Sequence, residues 1–346
     1  MKAQVLTSFD GPNGLVMREV ASPRLTRPDE VKIKIEACGV CHRDITWCRG
    51  KFGTADLPRI MGHEGAGVVL EVGSDVHGLA PGDRVVHLQF PFCMQCDACR
   101  SGKPAACASI RWAIGEGFDG AYASEVVLPA RIVTKIPYGI PFHEAAVVAC
   151  TLGTAYHALL LNGFEPRGKT IALNGSGGGV GLQTIQVAKL LGARVIATTT
   201  SPEKEDSIRR AGADHVVVDP QGNYRKAVMD LTAAQGVDLF VEIVGAPVMR
   251  ESMLSVRRGG RVVVLGNPEG GTFSFNPGTL IVRGELMMYG TMSVTLPELD
   301  EVLRLVAERK ITPVIDRVVS LEELPAQMLR MESRGSVGRI VVCPDA

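Results

Sequence analysis

The sequence carries no surplus charge of either sign: 37 Lys plus Arg stand against 37 Asp plus Glu over 346 residues. A chain without a basic excess lacks the electrostatic footprint that holds nucleic acid or an anionic membrane surface. Long apolar runs are missing too. No stretch reaches the roughly 18 uninterrupted apolar residues of a membrane-spanning helix, and the opening MKAQVLTSFD has no apolar signal core. A cytoplasmic protein is the expectation. Aromatic residues are only 5%, so large side chains give no hint of a pocket's shape. No internal repeat or low-complexity segment is present. The length and the 46% hydrophobic content fit two globular domains of ordinary size.

Cysteine is plentiful: the chain has nine. Without a secretory signal, disulfides are a poor account of them and metal ligation a better one. Four are bunched as Cys93-x2-Cys96-x2-Cys99-x7-Cys107. One loop with four thiolates can wrap a tetrahedral zinc ion in a closed, structural site, with Arg100, Lys103 and backbone amides offsetting the charge. Unligated thiols or an iron–sulfur cluster are the other readings, although the spacing departs from common ferredoxin runs. Three further segments hold dispersed ligand types: Cys38-Gly-Val-Cys41-His42-Arg43-Asp44, Gly62-His63-Glu64, and Cys150 at the end of an apolar segment. Two thiolates, an imidazole and a water would make an open, catalytic zinc site. Asp44 could then accept a hydrogen bond from a ligating His63 and fix its tautomer.

Residues 1 to about 150 read as an irregular, mainly β region, with strands expected over 31–35, 67–72, 83–88 and 121–128. From about residue 153 strands alternate with helices. Strands are expected over 170–174, 194–200, 216–218, 237–244, 261–265 and 285–289, a pattern that makes a parallel sheet. A helix over 182–191 follows the first strand. Ser201-Pro202-Glu203 resembles a helix start, and Thr295-Leu-Pro-Glu298 a capping box. A last strand is expected over 337–342.

Between the strand at 170–174 and its helix lies Gly175-Ser-Gly177-Gly178-Gly179-Val180-Gly181. A dinucleotide pyrophosphate needs close backbone approach and a helix N-terminus, and glycine permits both. Where NAD enzymes usually place an acid, this chain reads Thr198-Thr199-Thr200-Ser201, followed by Lys204. Small hydroxyls beside a cation favour NADP(H) over NAD(H).

Together, Gly39-Val40-Cys41-His42, Gly62-His63-Glu64, the four-cysteine lobe, Cys150 and the glycine cluster resemble the zinc-dependent medium-chain dehydrogenase/reductase superfamily, which includes the alcohol dehydrogenases. The resemblance implies an α/β fold class: a Rossmann doubly wound parallel sheet plus a mainly β GroES-like catalytic domain. It implies a GroES-like domain over 1–152 with the zinc lobe at 93–107, a Rossmann domain over 153–292, and a tail over 293–346 that completes the first domain. It also implies an active site in the cleft between them. By the same resemblance Cys41, His63 and Cys150 ligate a catalytic zinc, and Glu64 is a carboxylate able to approach it. Cys38 is a packed thiol. His42 and Arg339 lie near cofactor phosphate contacts, and Val244, Leu265 and Gly266 line the nicotinamide pocket. Two zinc ions per chain, a small-molecule substrate and a homodimer or homotetramer are implied. The expected activity is hydride transfer between a nicotinamide and an alcohol, aldehyde or ketone. One departure stands out. Arg43 occupies the place of a relay hydroxyl and Thr46 that of a relay histidine, and a guanidinium cannot relay a proton. Arg43-Asp44 is similar to an acryloyl-CoA reductase-like subgroup, which implies an NADPH-dependent enoyl-thioester or enone reductase as the alternative.

Overall fold

The computed structural model describes residues 1–52 and 56–345. The chain forms two compact units, Met1–Gly153 with Ser293–Ala346, and Thr154–Met292.

The first unit begins with β1 (Lys2–Leu6), β2 (Leu15–Glu19), β3 (Glu30–Val40), α1 (His42–Cys48), β4 (Arg59–Ile60), β5 (Gly65–Val72) and β6 (Arg84–His87). It continues with α2 (Asp97–Arg100), β7 (Glu125–Pro129), β8 (Val133–Lys135) and α3 (Phe142–Val147), which runs into a π-helical turn, Val148–Gly153. β3 organises this unit. Val31, Ile33 and Ile35 point inward while Lys32, Lys34 and Glu36 point outward, the period-two pattern of a half-buried strand. Beyond Ile35 the alternation stops because Ala37 to Val40 are all buried, so the strand runs five residues past the expected end. There it is covered on both edges, by β5 and by the last strand of the chain, and it delivers Cys41 into the interior. The expected strand over 121–128 shrinks to β7. Residues 121–124 instead spend their amides on Gly62, Met61 and Lys2 carbonyls, which ties them to the His63 loop.

The second unit holds α4 (Thr154–Leu160), β9 (Thr170–Leu173), α5 (Gly179–Leu190), β10 (Arg194–Thr199), α6 (Glu205–Arg210), β11 (His215–Val218), α7 (Arg225–Leu231), β12 (Val237–Glu242), α8 (Met249–Ser255), β13 (Val256–Val264), α9 (Gly278–Val282) and β14 (Met287–Gly290). The six strands form one sheet in the order β11-β10-β9-β12-β13-β14, paired parallel throughout. This is a Rossmann-type doubly wound sheet, and its order reverses between β9 and β12. Its central strands are buried along most of their length, and Ala172, Ile196, Phe240 and Val262 pack against Tyr224, Val228, Met249 and Met253.

The chain then returns to the first unit as α10 (Leu296–Ala307), β15 (Ile315–Val319), α11 (Leu324–Glu332) and β16 (Arg339–Val342). Its sheet runs β15-β16-β3-β5-β6-β8, with β7 also paired to β3. The Thr295 hydroxyl accepts from the Glu298 amide at 3.3 Å, and Glu298 accepts from the Thr295 amide at 3.0 Å. Such a reciprocal cap contributes about 1 kcal/mol. At Ser201 the expected cap is absent: its side chain makes no capping bond, and a short 3-10 turn over Pro202–Lys204 precedes α6. One helical run, Phe142–Gly163, is long and apolar enough to cross a membrane by composition. Most of its apolar window is buried in the fold, as expected for a core segment.

Candidate metal and cofactor sites

Four residues from three places in the chain converge in the first unit. Cys41 is the N-cap of α1 at the end of β3. His63 and Glu64 lie just before β5, and Cys150 sits in the π-helical turn after α3. Their ligand atoms all lie within 4.8 Å of one another. Cys150 Sγ is 4.0 Å from Cys41 Sγ and 3.8 Å from His63 Nε2. Tetrahedral zinc with sulfur at ~2.3 Å and nitrogen at ~2.0 Å has ligand–ligand edges of about 3.5–3.8 Å, so the donor set fits that ion.

The surroundings orient these ligands. His63 Nδ1 lies 3.0 Å from Asp44 Oδ1. With the proton on Nδ1 donated to Asp44, Nε2 turns its lone pair toward the two sulfurs. Asp44 Oδ2 accepts from the Cys41 amide at 3.0 Å and from the Tyr122 hydroxyl at 2.7 Å, so one carboxylate caps α1 and aims the imidazole. A thiol hydrogen bond from Cys150, joined by the Arg339 charge, holds Cys41 well below the usual thiol range against the effect of burial. That same bond and burial push Cys150 well up. Burial works against a charged His63, but Asp44 and Cys41 outweigh it and the imidazole stays well above its ordinary value. Before a cation arrives, the cluster therefore shares its protons, and ligation displaces them.

The second cluster is local. Cys93, Cys96, Cys99 and Cys107 also have ligand atoms within 4.8 Å of one another, with Cys93 Sγ 3.9 Å from Cys99 and 3.5 Å from Cys107. The Gln95 and Cys96 amides pull Cys93 down to about 6. Burial and the neighbouring sulfurs push Cys99 up to about 12. Four sulfurs around one gap, with no position left for substrate, suit a closed tetrathiolate ion. Arg100 pairs with Asp97 at 2.7 Å.

In the second unit the glycine cluster turns from β9 into α5. Gly175 adopts φ +60°, Gly178 caps the helix, and a Cβ on Gly181 would run into the Gly175 carbonyl. The stem of Lys204 lies across Gly177, so the cation's chain borders the turn. Thr199 ends β10, and its hydroxyl accepts from the Ser201 amide at 3.1 Å; Thr200 follows it. Val244 and Gly266 lie just beyond β12 and β13, and Gly175 packs beside Val244, next to the point where the strand order reverses. The Leu265 amide donates to the Glu242 carbonyl at 2.8 Å.

Residues 27–138 match the family described as alcohol dehydrogenase GroES-like domain, and residues 179–308 match zinc-binding dehydrogenase. The chain is 33% identical to an acryloyl-coenzyme A reductase of Sulfurisphaera tokodaii, over 99% of this chain and 100% of that one. It is 34% identical to an alcohol dehydrogenase of Geobacillus stearothermophilus, over 99% of this chain and 98% of that one. A crystal structure of AibC is similar at 41% identity and a TM-score of 0.91, covering 99% of this chain and 95% of that one. The chain belongs to the zinc-type medium-chain dehydrogenase/reductase superfamily.

Within this dehydrogenase/reductase, further candidate residues have protein partners. Arg339 is buried, pairs with Glu64 through Nε at 3.0 Å and also through a terminal nitrogen, and donates to Cys150 Sγ at 3.2 Å. Glu64 therefore faces an arginine as well as the ligand cluster, and a Cβ on Gly39 would occupy its place. His42 opens α1 and stays outside the four-residue cluster. Thr46 is buried, with its hydroxyl on the His42 carbonyl at 3.1 Å. Arg43 makes a bidentate pair with Glu116, at 2.5 and 2.9 Å. Glu116 carries no motif that singles it out in the sequence. A second buried set was also missed. Glu242 accepts from Asn174 at 2.7 Å, Val244 at 2.9 Å, Gly245 at 2.7 Å and the Ser252 hydroxyl, joining β9 to β12 behind the glycine turn. An acid ending the apolar run Val237–Glu242 and an Asn just before the glycines were the available signals.

Proposed function

We propose that this oxidoreductase is a zinc-dependent, NADP(H)-using enzyme of the alcohol dehydrogenase type. An alcohol carbon gives hydride to the nicotinamide and its hydroxyl gives up a proton, leaving aldehyde or ketone; the reverse reduces the carbonyl. The observation that carries the reading is the convergence of Cys41, His63 and Cys150, with Asp44 behind the imidazole. Those three residues would hold the catalytic ion, and Cys93, Cys96, Cys99 and Cys107 a structural one. When bound, the catalytic ion supplies Lewis acidity that favours negative charge on a substrate oxygen. Asp44 keeps the His63 proton on Nδ1. Arg339 balances Glu64 and places positive charge beside the Cys150 sulfur. The glycine turn and the start of α5 would receive the cofactor's phosphates. Thr199, Thr200, Ser201 and Lys204 support a 2′-phosphate.

A second reading rests on Arg43, which puts a fixed cation where a relay hydroxyl is expected. It suits an enoyl thioester or enone, which takes hydride at its β-carbon while negative charge gathers on the acyl oxygen. The deciding experiment is metal analysis with a panel of alcohols, aldehydes, enones and enoyl thioesters, run with both cofactors. Two zinc ions per chain and aldehyde reduction with NADPH support the first reading. Turnover of enoyl thioesters alone selects the second, and an empty Cys41 site would overturn the first and favour a zinc-independent reductase or a nucleotide sensor. Thr199→Asp should weaken NADPH binding; unchanged affinity removes the NADP(H) assignment. A homodimer would pair through the open edge of β14, near exposed Ile281 and Val282. Sedimentation at one chain mass would count against it. The nine free thiols suit a cytoplasmic setting.

A further inference from the structure

Tyr122 stands between the two segments that deliver Cys41 and His63, and it is fully buried. Its backbone is laced to the segment just before His63. The amides of Gly120, Ala121 and Tyr122 donate to the carbonyls of Ile60, Gly62 and Met61 at 2.8, 2.9 and 2.8 Å. Its ring lies against Gly62, which adopts φ +96°, and a Cβ there would sit 2.7 Å from a ring carbon. At the far end of the ring, the hydroxyl donates to Asp44 Oδ2 at 2.7 Å and lies 3.4 Å from the Gly39 carbonyl oxygen. One side chain therefore touches the His63 segment with its ring and the Cys41 segment with its hydroxyl. Burial and the Asp44 charge raise the phenol well above its ordinary value, so it stays protonated and acts as the donor. Asp44 is buried too, and its other partners among the described residues are the Cys41 amide at 3.0 Å and the His63 ring at 3.0 Å.

We propose that Tyr122 is a positioning residue for the ion at Cys41, His63 and Cys150: its hydroxyl fixes the Asp44 carboxylate that aims His63 Nε2, so the ion's affinity depends on that one oxygen. The inference deepens the proposed function and rests on it for the identity of the ion. Cys41 and His63 are themselves ligands, so their bonds to Asp44 shift whenever the ligands shift. Among the described residues, Tyr122 supplies the hold on Asp44 that comes from neither of them. Its neutral hydroxyl also leaves the carboxylate's charge available to the Nδ1 proton, which a paired cation would weaken. Tyr122 acts through Asp44 and touches no ligand atom of the ion.

The test is zinc binding to the folded chain, which needs neither cofactor nor substrate. Tyr122→Phe keeps the ring and removes the oxygen. Competition with a chromogenic chelator should show two zinc ions on the unaltered chain. Tyr122→Phe should weaken one of them by about 10- to 100-fold, the range for losing an outer partner of a ligating histidine, and leave the lobe ion in place. A hydroxyl that merely supported the fold would lower the urea midpoint of the metal-free and zinc-loaded chains alike and leave the zinc dissociation constant where it was. That result overturns the proposal. Cobalt(II) in the same site gives a second readout. Its visible absorption should shift in Tyr122→Phe because the imidazole is re-aimed, and an unchanged spectrum also overturns the proposal. In an Asp44→Asn background, Tyr122→Phe should cost little further affinity, since the hydroxyl acts through that carboxylate; full addition of the two losses would assign the effect to ring packing and reject Tyr122 as a positioning residue. If Tyr122→Phe does not fold, a ring-fluorinated tyrosine at this position, a more acidic donor of nearly the same shape, takes its place. Unchanged zinc affinity and cobalt absorption would then decide against the proposal. A single zinc on the unaltered chain, held in the lobe, overturns the proposed function and the role of Tyr122 with it. Two zinc ions with equal affinities before and after Tyr122→Phe count against Tyr122 alone.

Discussion

The two thiol clusters of the first unit use the same element in opposite ways. In the lobe, four cysteines within 93–107 meet through one short loop, and the amides of that loop supply most of the electrostatic support. In the dispersed cluster, ligands from 41, 63 and 150 meet only because β3, β5 and the turn after α3 are already assembled. Their support comes from charged side chains equally far apart: Asp44, Glu64 and Arg339. The lobe thus makes its own geometry, whereas the dispersed cluster inherits geometry from the fold and keeps one carboxylate in reserve beside the ligands. A closed site stabilises structure, and an open one built on a rigid scaffold can do chemistry.

That contrast can be broken in four ways, from the largest expected effect to the smallest. Cys96→Ser with Cys99→Ser should forfeit on the order of 10 kcal/mol of apparent ion-binding energy. Limited proteolysis should then cut within 93–107 while 154–292 stays resistant; equal resistance with and without a chelator would sink the structural role. Cys150→Ala should lower kcat/KM by about 10⁴-fold, roughly 5 kcal/mol, while circular dichroism and lobe zinc stay unchanged. Arg339→Met strands Glu64 in the interior and should destabilise the first unit by about 3–5 kcal/mol in urea titration. Adding Glu64→Leu should recover part of that loss, and simple addition of the two losses would refute the buried pair. The last concerns His87, which accepts from the Gly65 amide at 3.0 Å and donates to the Leu88 carbonyl at 2.8 Å. Burial holds it down to about 4. Because this folded value lies below the unfolded one of about 6.5, its contribution is intact above pH ~6.5 and is lost as pH falls toward ~4, up to about 3 kcal/mol. His87→Gln should flatten that part of the stability–pH curve; identical slopes would remove His87 as its source.

How much of this was legible follows the same division. The lobe could be read from spacing alone, and the Rossmann sheet from strands that alternate with helices around a glycine turn. β3 could be followed only to Ile35, since the period-two signal vanishes once both faces are buried. Cys150 carries no local sign of its role beyond an apolar segment that ends there. Partners 73 and 275 residues apart, Arg43 with Glu116 and Arg339 with Glu64, leave no pattern that a single chain displays. Nothing local to β16 says that Glu64 waits for Arg339 in the interior. The Glu242–Asn174 pair was nearer to being read, because a carboxylate ending an apolar strand calls for a partner.

The π-helical turn at Val148–Gly153 makes Cys150 sensitive to counting. Thr151 donates its hydroxyl to the Val147 carbonyl at 2.5 Å, across the wider spiral. An α-helix advances about 100° per residue. Shortening this turn by a single residue would swing the Cys150 sulfur to another side of the helix while α3 kept its packing. No change of amino-acid type would be needed to empty the site; a three-nucleotide deletion would suffice.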